Sequence, residues 1–186
     1  MDNPRIIGIT GTLGAGKGTV VEYLMTKGFH HYSAREFITR EIIKRGMLVN
    51  RDSMVRVAND LRAQHGPAYV IASLYEEAAA VGGDCVIESI RTSGEVAALR
   101  AKPNFMLLAV DADQVRRYQR IVGRGTETDR IDFETFKSNE EREMANSDPN
   151  KQNIGACIAQ ADVVLHNNGS FEDLYAQVDK VLQKSE

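Results

Sequence analysis

Short apolar runs alternate with amphipathic segments along the whole chain. The run from Ile6 to Thr10 is rich in β-branched residues and stops at a glycine-rich loop, as a buried strand does. Further strand-like runs are predicted at residues 29–32, 84–88, 105–110 and 162–166. Segments with helical spacing separate them, and strands that alternate with helices favour a mostly parallel sheet covered on both faces. The predicted fold class is therefore α/β.

Apolar residues between the strands recur every three or four positions, which is the spacing of an amphipathic helix. Gly28 is placed to end the first helix, and Asn50 is typical of a helix start. Other helices are predicted at 34–45, 69–81, 93–100, 113–122, 133–144, 154–160 and 171–183. There is no repeat, low-complexity tract or linker, so residues 1–186 are predicted to form a single domain.

Composition and charge argue against several classes of protein. The net charge of −3 gives no global reason to expect binding to nucleic acid or to a membrane surface. No apolar run approaches the roughly 20 residues that span a bilayer, and the first residues lack the layout of a signal peptide. Cys85 and Cys157 lie in apolar surroundings and are interpreted as buried hydrophobes, and the histidines show no spacing typical of a zinc site. We expect a cytoplasmic protein, as a monomer or a homodimer.

A glycine-rich loop between the first strand and the first helix carries the clearest chemical signal. Its glycines allow successive N–H groups to turn inward around a polyphosphate, and the helix that starts near Gly16 adds its partial positive charge. Lys17 would place a cation beside the β- and γ-phosphates of ATP. The full Gly-x-x-x-x-Gly-Lys spacing is present, from Gly11 to Lys17. This phosphate loop consists of Gly11, Thr12, Leu13, Gly14, Ala15, Gly16, Lys17, Gly18 and Thr19.

The residue after the lysine distinguishes this phosphate loop from that of switch GTPases. The usual Mg²⁺-binding Ser or Thr at that position is replaced by Gly18, and the hydroxyl comes at Thr19. This form resembles adenylate kinase and other nucleoside monophosphate kinases. The resemblance implies that Mg²⁺ is held largely by nucleotide oxygens and waters, with Thr19 and Glu88 reaching the ion through water.

A second charged segment, Glu88 to Arg91, follows the strand predicted at 84–88. In parallel sheets ligands bind beyond the carboxyl ends of the strands, and arginine grips phosphate oxygens with its planar fork. We therefore expect Glu88 to face the metal shell and Arg91 to bind the acceptor phosphate. The segment resembles the Asp-Gly-Phe-Pro-Arg segment of adenylate kinases, with Glu in place of Asp. That resemblance places Glu95 where the family has a glutamine that contacts the acceptor base.

Two arginines one helical turn apart, Arg120 and Arg124, precede a polar stretch that contains glycine. The pair resembles the start of the adenylate kinase lid and implies contact with the donor nucleotide and the transferring phosphate. Arg116 and Arg117 are expected to be solvated. The resemblance implies a short lid at about 123–150, from which Arg142 is expected to close on the substrates together with Arg130.

The region at about 33–80 is expected to form a helical flap over the acceptor. Adenylate kinases carry an arginine in this region at a position where this chain has Thr39, so Arg35 and Arg40 are the candidate replacements. The segment ending at Val49 resembles the one that lies along the acceptor base in that family. The predicted acceptor-binding residues of this flap are Ser33, Arg35, Glu36, Arg40 and Val49.

The C-terminal third points to a second family. The segment from Ala161 to Ser170 resembles the closing strand and turn of dephospho-CoA kinases. Those enzymes carry an acidic residue directly after the second strand, where this chain has Ser33 and Ala34. Over nearly its whole length the chain is similar to archaeal adenylate-kinase-related, dephospho-CoA-kinase-like P-loop proteins.

Three hypotheses about function follow. The leading one is an ATP- and Mg²⁺-dependent kinase of nucleoside or deoxynucleoside monophosphates, in which Lys17, Arg91, Arg120 and Arg124 stabilise the transferring charge. The second keeps this chemistry and takes a dephospho-CoA-like small molecule as the acceptor. The third is a nucleotide-gated ATPase or assembly factor, which the absence of an arginine at Thr39 favours.

Overall fold

Five parallel strands form the centre of the fold in the computed structural model, which describes residues 4–125 and 131–183. The strands are β1 (Ile6–Gly11), β2 (His30–Ser33), β3 (Cys85–Glu88), β4 (Phe105–Asp111) and β5 (Val163–His166). Their order across the sheet is β2-β3-β1-β4-β5, and all neighbouring pairs are parallel. The predicted five-stranded parallel sheet is confirmed.

Helices connect and cover these strands. They are α1 (Lys17–Thr26), α2 (Ala34–Lys44), α3 (Arg51–His65), α4 (Tyr69–Val81), α5 (Ser93–Arg100), α6 (Gln114–Arg124), α7 (Phe133–Met144), α8 (Ile154–Ala159) and α9 (Phe171–Gln183). The bounds of α4, α5, α7 and α9 agree with the sequence prediction, and the other helices differ by a residue or two at their ends. Within the described ranges, no helix is long and apolar enough to cross a bilayer.

Side chains of β1 alternate between two apolar cores, one on each face of the sheet. Ile7 and Ile9 belong to the core that includes α1 and α9, and they are 3% and 0% exposed. Ile6 belongs to the core that α2, α3, α4, α5 and α8 cover. Because successive side chains of a strand point to opposite faces, this alternation gives three layers, as the sequence predicts.

Both cysteines are buried, which confirms their interpretation as core residues. Cys85 is 3% exposed and Cys157 is fully buried. Burial raises the pKa of Cys85 to about 11 and that of Cys157 to about 12. Both side chains are therefore thiols at neutral pH, and neither is an activated nucleophile.

The carboxyl ends of β1, β3 and β4 meet at one edge of the sheet because the strands are parallel. Ile9 lies opposite Glu88 in the β1–β3 register, and Gly11 lies opposite Val110 in the β1–β4 register. This edge therefore brings the phosphate loop, which follows β1, next to the segment that follows β3.

The predicted lid, about 123–150, contains the end of α6 and all of α7. Residues 126–130, and with them Arg130, lie outside the described residues. Helix α7 packs against α8, and its Phe136 is fully buried. This part of the predicted lid is therefore docked on the body of the protein.

Candidate active site

The backbone of the phosphate loop passes close to its neighbours at two glycines. Gly11 has φ +140° and a Cβ there would lie 2.2 Å from the Val110 carbonyl oxygen; Gly14 has φ +78° and would clash with the Arg117 carbonyl oxygen at 2.6 Å. A side chain at either position would push the loop away from β4 or α6, and the positive φ would add strain. The loop conformation therefore depends on glycine at these two positions.

Lys17 lies in the first turn of α1 and folds back over the loop. Its Nζ donates to the carbonyl oxygens of Gly11 at 3.0 Å and Thr12 at 2.9 Å. Both bonds use carbonyls at the start of the loop, so the ammonium group is held at the mouth of the loop, next to Gly11 and Thr12. Its contact with the phosphates of ATP stays a prediction.

The next carbonyls of the loop, those of residues 13–15, accept hydrogen bonds from side chains on the outer side of the loop. Arg117 donates to the first at 3.3 Å, Arg120 to the second at 3.4 Å, and the Asn167 side chain to the third at 2.8 Å. A trans peptide holds its N–H opposite its carbonyl, so the N–H groups of Gly14, Ala15 and Gly16 face away from the three donors. That of Ala15 donates within the loop to the Thr12 carbonyl at 3.3 Å, so those of Gly14 and Gly16 are the ones that would meet an anion. Such an arrangement of N–H groups is what an anion-binding loop requires.

Two arginines of α6 contact the loop, and the prediction for one of them, Arg117, is wrong. Arg117 was expected to be solvated but is 4% exposed, whereas its neighbour Arg116 is exposed. Arg120 was expected on the donor nucleotide, and here its guanidinium donates to loop carbonyls and, at 2.7 Å, to the Asn167 carbonyl. Both arginines therefore support the loop from its outer side. Nothing in the sequence around Arg117 indicates this, because it depends on α6 crossing the loop.

Charged groups from three other segments act on Lys17. The pKa of Lys17 is lowered to about 8, chiefly by burial and then by the positive charge of Arg91, with a smaller effect of Arg124; the carboxylates of Glu88 and Glu143 act in the opposite direction. Three other predicted catalytic residues, Glu88, Arg91 and Arg124, thus lie within electrostatic reach of Lys17, and Glu143 of α7 is an addition. An incoming polyphosphate would favour the charged form of the lysine.

Glu88, the last residue of β3, is paired with His31 of β2. Their side chains lie 3.0 Å apart. The hydrogen bond from His31 lowers the pKa of Glu88, and Glu88 raises the pKa of His31. Glu88 is therefore ionised at neutral pH, as a metal-shell carboxylate must be. His31 carries no signal for this role in the sequence, because only the pairing of β2 with β3 brings the two together.

Replacing His31 with Gln should lower the free energy of unfolding by about 1 kcal/mol at pH 5.5, since a charge-assisted hydrogen bond to Glu88 is lost. The pKa of His31 is raised from its ordinary value of 6.5, and the pKa of Glu88 is lowered from its ordinary value of 4.5. The pair therefore contributes its full stability between about pH 4.5 and pH 6.5, where both side chains are charged in the folded and unfolded protein. This contribution should shrink as the pH rises through the folded-state pKa of His31. Urea denaturation from pH 5 to 9 measures it. His30→Gln, at the exposed neighbour on β2, should show no such pH dependence.

Arg91 lies in the connection between β3 and α5, residues 89–92, two positions after the strained residue that begins it. Ser89 has φ +73°, a left-handed conformation that is uncommon for serine. The Arg91 guanidinium donates to Gln152 at 2.9 Å, and the Arg91 carbonyl accepts from the Asn153 N–H at 2.8 Å. The segment before α8 therefore positions Arg91 at the edge where the sequence predicts it.

Glu95 does not have the exposed position that contact with an acceptor base requires. It is 3% exposed, and its carboxylate accepts from the N–H groups of Arg91 at 2.7 Å and Thr92 at 3.1 Å. Thr92 accepts from the Glu95 N–H in return, so the two residues form a capping box at the start of α5. The Thr-x-x-Glu spacing is itself a helix-start signal, so the predicted contact of Glu95 with the acceptor base is wrong.

Arg62 of α3 is a residue that the sequence analysis missed. Among the residues that the structure describes, its Nε is buried without a hydrogen-bond partner, and its Nη1 makes a long bond, 3.4 Å, to Asn59. Burial raises the pKa of Glu95, and the nearby Arg62 charge partly offsets this. The turn after α3 rests on the start of α5, since a Cβ on Gly94 would lie 3.3 Å from the Pro67 ring. Arg62 therefore lies near the turn that carries Arg91, with an unused donor.

The predicted acceptor residues of the flap lie mostly on its surface. Those in exposed positions are Arg35, Glu36, Arg40 and Val49. Ser33 is buried and caps α2 by accepting from the Glu36 N–H at 3.4 Å. The Arg40 guanidinium is bound to Glu77 of α4 at 2.6 Å. Thr39, at the position of the missing arginine, donates to the Arg35 carbonyl at 2.8 Å.

The remaining predicted site residues differ in their surroundings. Thr19 is half-buried in the first turn of α1, one residue beyond the exposed Gly18. Arg124 is exposed at the end of α6, within electrostatic reach of Lys17. Arg142 is exposed on α7, and its guanidinium donates to Asn139 of the same helix.

Comparison with known proteins assigns the family. An AAA domain model matches residues 7–146. The UPF0200 protein MJ1399 of Methanocaldococcus jannaschii is 32% identical over 182 residues, which cover 96% of this chain and 89% of that protein. This chain belongs to the AAA domain and UPF0200 families.

Solved structures share the fold of this UPF0200 family member. TT1252 from Thermus thermophilus matches with a TM-score of 0.66 and 25% identity, over 98% of both chains. Dephospho-CoA kinase from Campylobacter jejuni matches with a TM-score of 0.54 and 14% identity, over 98% of both chains, which is a likeness of fold alone. The P-loop kinase-like fold that the sequence predicts is confirmed.

Proposed function

We propose that this UPF0200 protein is an ATP-dependent kinase of nucleoside or deoxynucleoside monophosphates. The observation that carries the proposal is the phosphate loop, whose carbonyls are bound from behind while Lys17 lies at its mouth. Glu88 and Arg91 come from the neighbouring strand end at the same edge of the sheet. Phosphoryl transfer requires positioning and charge stabilisation, and no covalent intermediate.

The donor end of the proposed site would bind ATP with Mg²⁺. The N–H groups of the loop and Lys17 would bind the phosphates, and Arg124 would add a cation near the transferring group. Thr19 and the ionised Glu88 would hold Mg²⁺ through water, and the bound metal supplies charge neutralisation on the phosphate oxygens. Arg117 and Arg120 would keep the loop in its binding conformation.

The acceptor end would rest on Arg91 and Arg62. Thr39 offers no cation, and Arg40 is bound to Glu77 on the flap surface. Arg62 has a buried, unused donor beside the turn of Arg91, so it is the better candidate for the second phosphate-binding arginine. An acceptor held by two arginines carries a phosphate group, which favours a monophosphate.

Replacing Arg62 with Gln should raise the KM of the acceptor about tenfold, because one charge-assisted hydrogen bond to its phosphate is lost. The KM of ATP should stay within about twofold, since Arg62 is proposed only for the acceptor. Steady-state kinetics with each substrate varied separately measures both. Arg56→Gln, at an exposed position of the same helix, should leave both constants unchanged. Equal effects of the two variants would contradict the role of Arg62.

A coupled assay of ADP formation with ATP and Mg²⁺ tests the proposed function. The acceptors are the nucleoside and deoxynucleoside monophosphates, with dephospho-CoA as a further arm. We expect at least one monophosphate to accelerate ADP formation well above the rate with ATP alone. Acceleration by dephospho-CoA only would assign the second function class. Slow ATP hydrolysis at a rate that no acceptor changes would contradict the kinase proposal and favour a nucleotide-gated ATPase.

A further inference from the structure

We propose that Arg117 and Glu140 form a positioning pair through which helix α7 holds the phosphate loop in its nucleotide-binding conformation. The inference uses the proposed function only in taking the loop as a binding site for nucleotide phosphates. Neither side chain is assigned to the substrates; both act through the loop.

The Arg117 guanidinium joins three parts of the chain. Its Nε donates to the Ala112 carbonyl at 2.8 Å, which fixes the side chain to the start of its own helix. Its Nη1 donates to the Leu13 carbonyl at 3.3 Å. The same nitrogen and Nη2 also donate to the two carboxylate oxygens of Glu140 in α7, the latter at 3.0 Å. One planar fork therefore bridges α6, the phosphate loop and α7.

The pair is buried enough for each partner to depend on the other. The side chains of Arg117 and Glu140 are 5% and 15% exposed. Gln114 donates to the Glu140 carboxylate at 3.2 Å, and the Arg117 guanidinium lies 5.7 Å from the centre of the Phe136 ring. A buried ion that loses its partner is strongly unfavourable. Without Glu140, Arg117 would keep the carboxylate of Asp111, 4.0 Å from its Nε and too far for a hydrogen bond. We therefore expect the Arg117 side chain to leave its present position.

Movement of Arg117 would reach the loop directly. The hydrogen bond to the Leu13 carbonyl sets the direction of the following peptide N–H, which is one of those facing the phosphate side. Helix α7 also borders the loop at Thr12 and Leu13, which line a small cavity together with Phe136 and Glu143. The position of α7 and the conformation of the loop therefore depend on each other through Arg117.

Glu140→Gln tests the pair, and Asp84→Asn is the matched control. Asp84 accepts two hydrogen bonds from the Arg5 side chain, at 2.8 and 2.5 Å, at the opposite edge of the sheet from the loop. Isothermal titration gives the Kd of ATP, and urea denaturation gives the stability of each variant. We expect Glu140→Gln to raise the Kd of ATP about tenfold, the effect of one lost charge-assisted bond, and Asp84→Asn to change it less than twofold.

Arg117→Lys is the second variant, to be used also if Glu140→Gln does not fold. Lysine keeps the charge but lacks the fork, so we expect a similar rise in the Kd of ATP with a smaller loss of stability. An unchanged Kd in both variants would overturn the inference and leave a purely structural ion pair. A lower Kd would overturn it as well, because α7 would then obstruct the loop.

Failure of the proposed function has a different signature. A wild-type protein that binds ATP but phosphorylates no acceptor overturns the kinase proposal. The Kd values of ATP for the Glu140, Arg117 and Asp84 variants would still test the positioning pair. A wild-type protein that binds no ATP overturns both.

Discussion

Replacing Lys17 with Met should lower the rate of phosphoryl transfer by about 10³-fold, one of the two largest effects expected from a single change. The lysine is the cation at the mouth of the loop, and removing one preorganised donor from a transfer site typically costs factors of about 10² to 10³. Lys17 also neutralises the phosphates on which the transferring charge develops. The coupled assay with saturating acceptor measures the loss. A variant that keeps more than a tenth of the wild-type rate would contradict this role.

The same substitution should not unfold the protein, and its stability supplies the control. The pKa of Lys17 is about 8 in the folded protein against an ordinary value of 10.5, because burial disfavours the charged form. The charged amine therefore costs stability below pH 8, and the cost disappears as the pH rises from 8 to 10.5. We expect the Met variant to be at least as stable as the wild type at pH 7, with a smaller difference at pH 10. A large loss of stability at pH 7 would show that its inactivity comes from misfolding.

Replacing Arg91 with Ala should lower kcat by about 10³-fold, the other of the two largest effects. Arginines that stabilise the charge of a transferring phosphoryl group contribute factors of about 10³ to 10⁵. Arg91 is held for this role by its bond to Gln152 and by the carbonyl contact with Asn153. The rate at saturating ATP and acceptor measures the effect. Arg91→Lys should recover only part of the rate, because lysine keeps the charge and loses the planar fork.

Arg100→Ala is the control for the loss of an arginine from the same region. Arg100 ends α5, the helix that follows Arg91, and it pairs with Asp162 at 2.7 Å. It should leave kcat unchanged and cost at most about 1 kcal/mol of stability, as partly exposed ion pairs do. If the two variants lose activity equally, Arg91 has no special part in the transfer.

The phosphate loop could be predicted because its signal is local. A strand, a glycine-rich turn and a helix that starts with Lys17 follow one another within about 20 residues, and each step has its own sequence pattern. Glu88 and Arg91 could be predicted from one further rule, that parallel strands place their carboxyl ends at a common edge. The parallel sheet itself was predicted from the alternation of strand-like apolar runs with helical segments.

Partners distant in sequence could not be predicted. His31 pairs with Glu88 because β2 lies beside β3, although the strands are separated by three helices. Arg62 lies near Glu95 because the turn after α3 folds onto α5. For Glu95 itself the sequence carried two signals, a capping box and a position implied by resemblance, and the buried start of α5 decided for the cap.

By itself, the sequence determined the order of the elements, the parallel sheet and the phosphate loop that opens the first helix. Only the tertiary structure decided how that loop is supported: Arg117 looks like a solvated helix residue until α6 crosses the loop and α7 brings Glu140 to it. The physical reason is that loop conformation follows local backbone preference, whereas a buried charge can be recognised only from the partner that compensates it.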